Sequence, residues 1–171
     1  VSGLVETSTL TLNAGIVCNG VGTNSNFIFS IPESITVPVT NGFARFNDIE
    51  IYEGTYIAQS FTEDSSLFNQ RYILDNSFID TSTIKVQVRP SESSTASVTY
   101  KQIDNIIGIT STSNSYLLQE IEDERYELIF GDNVIGKKLS NDNFIEVTYV
   151  VTDGRDGNGA SEFSFVGNIT N

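Results

Sequence analysis

Apolar residues in this chain recur at every second position. No window of eleven or more residues sustains the i, i+3, i+4, i+7 spacing of an amphipathic helix. That alternation is the strongest constraint on the fold. A strand turns successive side chains to opposite faces, so a period of two buries one row and leaves the other to water. The chain therefore reads as mainly β, with antiparallel sandwich-like sheets, hairpins and little helix, in one body or two small lobes.

Clusters of Gly, Asn, Asp and Ser separate the alternating runs and mark the turns. Residues 15–18 and 27–29 flank a polar loop and suggest a hairpin. Ile35, Val37 and Val39 alternate, and Pro38, which lacks an N–H, marks that strand as an edge. Asn41 and Gly42 read as a tight turn into 43–46. Ile84, Val86 and Val88 form the cleanest half-buried strand, and a turn at 90–95 returns the chain through Val98 and Tyr100. Tyr126, Leu128 and Phe130 share one face of a hairpin over 116–130. Ile145, Val147, Tyr149 and Val151 share one face of the following strand, and Phe163 and Phe165 mark the last. Residues 62–70 are polar around Leu67 and Phe68. A division into lobes is expected there, with an N-terminal β lobe over 1–61 and a C-terminal one over 71–171.

Composition removes several kinds of function. Nine basic against 22 acidic residues give a formal charge of −13. Such a surface repels nucleic acid and anionic membranes, whose affinity for proteins comes largely from Lys and Arg. No apolar stretch is long enough to span a bilayer. Histidine is absent, which removes the commonest general base and transition-metal ligand and any Ser-His-Asp or Cys-His arrangement. Cys18 is the only cysteine, so no internal disulfide or thiolate zinc site can form; it reads as a small buried apolar side chain. The chain has no Met, and its start, VSGLVET, lacks the basic head and apolar core of a signal peptide. It is expected to be a piece of a longer polypeptide.

Three stretches could carry chemistry. The acidic run Glu120, Glu122, Asp123 and Glu124 falls at a hairpin tip and reads as a solvated turn, not as a glycosidase pair set across a cleft. DGRDGNG at 153–159 looks like a calcium loop, but Arg155 and Gly157 stand where oxygen ligands belong. It reads as a glycine-supported turn. GDNVIGKK at 131–138 has the G-x4-G-K spacing of a phosphate loop. Lys138 replaces the Ser or Thr that would hold magnesium, and no helix pattern follows. It reads as a turn and bulge in which Gly131 and Gly136 permit tight geometry. No catalytic residue, cofactor, metal or small-molecule substrate is expected.

The run ELIFGDNVIGKK at 127–138, then IEVTYVVT at 145–152 and DGNG at 156–159, resembles the baseplate J-like family of contractile phage tails. That family shows a phrase like F-G-D-G-x-x-G-K, a short turn, an I-x-V-x-Y strand and a G-N close. Here Phe130, Gly131, Asp132, Gly136 and Lys137 keep the phrase, Tyr149 closes the strand, and Gly157 and Asn158 make the final pair. Asn133 replaces a glycine, and Asn tolerates a left-handed backbone better than most residues. IEIYEGTY at 49–56, DTSTIKV at 80–86 and YLLQEIED at 116–123 strengthen the likeness to the family's wedge members in T4-like phages.

The resemblance implies a structural subunit of the virion's tail baseplate, assembled in the host cytoplasm. It implies contacts with other wedge proteins and with copies of itself, joining wedges into the ring around the tail hub, and no enzymatic role. The rival expectation is a carbohydrate- or cell-surface-binding β module, such as an adhesin or tail-fibre domain. Richness in Ser, Thr, Asn and Tyr fits that as well.

Overall fold

The computed structural model describes residues 7–22, 25–152, 154 and 159–171. The described chain is mainly β, with strands β1 (Thr9–Leu12), β2 (Gly15–Val21), β3 (Asn26–Ile31), β4 (Ile35–Thr40), β5 (Phe43–Ala44), β6 (Tyr52–Glu53), β7 (Thr55–Thr62), β8 (Tyr72–Leu74), β9 (Ile79–Arg89), β10 (Val98–Gln102), β11 (Ser115–Glu120), β12 (Tyr126–Phe130), β13 (Phe144–Val151), β14 (Glu162–Phe165) and β15 (Ile169–Thr170). A short 3-10 turn spans Glu122–Glu124.

Two compact units form, one from Val1–Tyr56 with Thr152–Asn171, the other from Ile57–Val151. The expected cut at 62–70 is not where the units part. Glu63 is tied to the start of β13: its N–H donates to Asn143 O and its carbonyl accepts Asp142 N–H, both at 2.9 Å. Local polarity marked a turn there, and pairing with a segment distant in sequence holds it inside the second unit.

The first unit is a sandwich of two four-stranded sheets, β15-β1-β4-β5 and β14-β2-β3-β6. The chain switches sheets between β1 and β2, again between β3 and β4, and again between β14 and β15, so neighbouring runs turn the corner together. Asn13 N–H bonds Asn168 O at 2.9 Å and Ala14 N–H bonds Ser34 Oγ at 2.9 Å at this corner. Leu12, Val17 and Ile31 are buried between the sheets, with Cys18 half-buried against them. Strand β4 is not an edge, because it lies between β1 and β5. Pro38 is tolerated because the β5 ladder reaches only Val39 and Thr40, while the Val39 N–H serves Ser8 on the other side. The turn before β5 has positive φ at both Asn41 (53°) and Gly42 (78°), as a twisted two-residue hairpin demands.

The second unit is one seven-stranded sheet, β7-β13-β9-β10-β11-β12-β8. Its registered pairs are antiparallel except β10 with β11, where Lys101 faces Ser115 and Gln102 faces Tyr116 in parallel. The outermost strands, β7 and β8, meet through side chains, so the sheet nearly closes into a barrel. Gln59 Nε2 donates to Ile73 O at 2.9 Å, and the Phe61 and Tyr72 rings meet edge-on at 5.6 Å. The Tyr149 hydroxyl lies 3.0 Å from Gln59 Oε1 and 2.7 Å from Asn76 Oδ1 at the same seam. The interior takes Ile84, Val86, Val88, Leu128, Ile145, Val147 and Tyr149, the inward rows expected from alternation. Register shifts after Thr148, where residues of β9 bulge out of the ladder; Val150 N–H then bonds the buried Thr83 Oγ1 at 2.9 Å. That shift buries Val150 as well, while Val151 stays half-buried against the barrel core, on the face expected for it.

Candidate functional site

Strand β12 ends at Phe130, whose ring packs edge-on against Tyr72 at 5.2 Å and Tyr100 at 5.7 Å. The chain then turns through 131–138 before Leu139 re-enters the core. Gly131 and Gly136 lie backbone against backbone. A β-carbon on Gly131 would fall 2.1 Å from the Gly136 carbonyl carbon, so no other residue fits without moving main chain. Gly136 also has φ +79°. Asp132 Oδ1 accepts the N–H groups of Val134 (2.8 Å) and Ile135 (2.9 Å). Those bonds, Ile135 foremost, hold its carboxyl below the usual range. Asn133 takes φ 70°, and its Oδ1 accepts the Lys138 N–H at 3.0 Å.

Two backbone bonds fix this loop to the segment after β10. Gly136 N–H donates to Thr110 O (3.1 Å) and Lys137 N–H to Ser113 O (2.8 Å). The two segments expose apolar side chains, Val134 at 73% and Ile107 at 87%. Lys137 and Lys138 are exposed.

Beside the loop lies a cleft of about 290 Å³. The inward row of β7, Ile57, Gln59 and Phe61, continues to Glu63, which is only 9% exposed and lines the cleft. Glu63 Oε2 accepts the Tyr72 hydroxyl, and Oε1 lies 3.4 Å from Ser65 Oγ. Burial first, then the bond to Glu63 and its charge, push the Tyr72 hydroxyl pKa up. Glu127 also lines the cleft and takes a two-pronged pair from Arg71, Nε to Oε1 at 2.8 Å and Nη2 to Oε2 at 2.6 Å. Leu67, Leu128, Phe130 and Leu139 supply apolar wall, and Lys138 joins them.

Of the residues singled out by sequence, Phe130, Gly131, Asp132, Gly136 and Lys137 come together in the loop. Tyr149 does not join them; it is buried in the barrel at the β7–β8 seam. Gly157 and Asn158 lie outside the described residues, as does most of the calcium-like stretch 153–159. The G-x4-G-K spacing opens no helix: 139–143 runs through a turn straight into β13. Among the described residues no group of three or more His, Cys, Asp or Glu converges to hold a metal. No described helix is long and apolar enough to cross a membrane. Glu63 and Tyr72 escaped the sequence reading. The available signal was phase, since Gln59 and Glu63 interrupt an otherwise apolar alternate row.

No protein-family model matches the chain, and no curated protein matches it. The likeness to the baseplate J-like family therefore rests on the phrases quoted above.

Proposed function

We propose that this chain is a structural part of a contractile phage tail baseplate, joining wedges into the ring around the hub through contacts with other wedge proteins and with copies of itself. The observation that carries the reading is the 130–138 loop. Its family-like residues are those its geometry requires, glycines where backbone touches backbone and an aspartate that caps two N–H groups, and Asn133, in place of the family's glycine, takes the positive φ. A loop so braced presents Val134, Ile135 and Lys137 on a fixed frame, which suits recognition by shape. The reading involves no catalysis. The proposed location is the virion, after assembly in the host cytoplasm.

The rival sugar-binding reading draws on aromatics that reach solvent. Tyr72, Tyr100, Tyr116 and Tyr149 are buried, which speaks against it. Several phenylalanines are not: Phe43, Phe68 and Phe78 are 70%, 94% and 64% exposed. Antibody against the chain, applied to purified tail particles of the encoding phage, is expected to decorate the baseplate in electron micrographs. Decoration of fibres, or absence from the particles, would refute the proposal, and glycan-array binding by the isolated chain would favour the rival.

A further inference from the structure

We propose that the cleft around Glu63 binds a guanidinium or primary ammonium group carried on an unbranched alkyl arm. Glu63 is more than nine-tenths buried, yet its carboxylate meets only hydroxyls, those of Tyr72 and Ser65. Arg71 pairs with Glu127, Arg89 with Glu146 and Arg125 with Asp123, and none of these pairs involves Glu63. Holding a carboxylate away from water costs several kcal/mol unless a cation or a full set of donors meets it. Glu127, on the same cleft, has its cation in Arg71. Glu63 lacks one.

The rest of the cleft suits such a guest. Tyr72 and Phe130 bring aromatic rings, which attract cations, and Leu128 and Leu139 offer cover for methylenes. A volume of about 290 Å³ is at the small end for ligand sites and matches a side-chain-sized guest. One carboxylate with two hydroxyls supplies too few oxygens for calcium, which takes about six to eight. The formal charge of −13 draws cations toward the surface. Lys138 lines the cleft as a like charge and limits the affinity. The site does not depend on the baseplate reading, and its test is separate.

The isotope-labelled chain is titrated with N-butylguanidinium, N-butylammonium and the neutral isostere N-butylurea, following the amides of Glu63, Leu128, Gly131 and Leu139. Both cations should give saturable shifts with Kd on the order of millimolar, as expected for so small a guest, and the urea none. Glu63→Gln should weaken the cations at least about tenfold. An equal response to the urea, no saturation by either cation, or unchanged affinity in folded Glu63→Gln would overturn the proposal. If that variant fails to fold, the comparison of cation with urea on the unaltered chain decides alone. Capped arginine amide and free arginine then separate the sources. Binding of the amide matching butylguanidinium supports the site with a protein side chain as guest, whereas binding by free cations only supports it with a small-molecule guest.

Discussion

The two units use the same alternating strands and bury them differently. The barrel-like unit gathers thirteen buried residues into one cluster, because its sheet curls until β7 and β8 meet and every inward row faces every other. The sandwich unit has three in its cluster among the described residues, because its sheets are small and its last strands lie at edges. Its β14 leaves Phe163 and Phe165 more than half exposed. Period two sets which residues can face inward. Closure sets how many partners they find there. Stability should thus be concentrated in the barrel, and side-chain changes there should cost more than like changes in the sandwich.

The largest difference is expected between two glycines. Gly131→Ala drives a β-carbon into the Gly136 main chain and should cost about 4 kcal/mol of unfolding free energy. Gly42→Ala has open space around it and only a positive φ to tolerate, so it should cost about 1 kcal/mol. Denaturant titration of both variants checks this. Equal costs would mean that the 131–138 loop moves aside freely and is no fixed frame. Next come two apolar truncations. Leu128→Ala, at 1% exposure in the barrel, should cost about 3 kcal/mol. Phe163→Ala, which stacks on Phe29 at 5.2 Å but is 56% exposed, should cost about 1 kcal/mol. A reversed order would place the stronger core in the sandwich.

The closure of the barrel can be probed by itself. Tyr149→Phe keeps the buried ring and removes the hydroxyl that reaches Gln59 and Asn76, and should cost about 1.5 kcal/mol. Amide exchange should then quicken in β7 and β8 before it does in β11 and β12. Uniform quickening would mean that the seam opens only with the whole unit.

Alternation made most strands legible, and with them the inward rows Ile84, Val86, Val88 and Ile145, Val147, Tyr149. The turn at Asn41 and Gly42 was legible because positive φ has its own residue chemistry, and the same holds for Asn133 and Gly136. What stayed hidden depends on partners distant in sequence. Polar content at 62–70 looks like a linker, and only the pairing of Glu63 with Asn143 and Asp142 shows that it is not. Pro38 reads as an edge because it cannot donate to a neighbour, but β4 keeps β5 beside it because that ladder stops at Val39. The parallel pairing of β10 with β11 leaves no trace in local pattern. Glu63 showed its phase but not its burial, which needs Tyr72 and the neighbouring strands in place.

The smallest expected effects come from pH, and they separate barrel interior from loop. Burial pushes the Tyr116 hydroxyl up to about 12 from an ordinary 10.0, and burial aided by the charge of Asp75 does the same for Tyr149. The fold holds the neutral form. Their contribution is whole below pH 10, where the unfolded chain also keeps its protons, and is lost as pH rises from about 10 to about 12. Asp132 behaves oppositely. Its carboxyl is held below the ordinary 3.8 by the N–H groups of Ile135 and Val134, so its contribution is present above that value and is lost as pH falls through the folded one. Alkali should therefore loosen the barrel and acid the 131–138 loop. Following the amide resonances of Val134, Ile135 and the β12 and β13 strands across pH checks both. If acid disturbed β13 before Val134 and Ile135, the Asp132 cap would not be what holds the loop, and its rigidity would have to come from the contact between Gly131 and Gly136 and from the backbone bonds to Thr110 and Ser113.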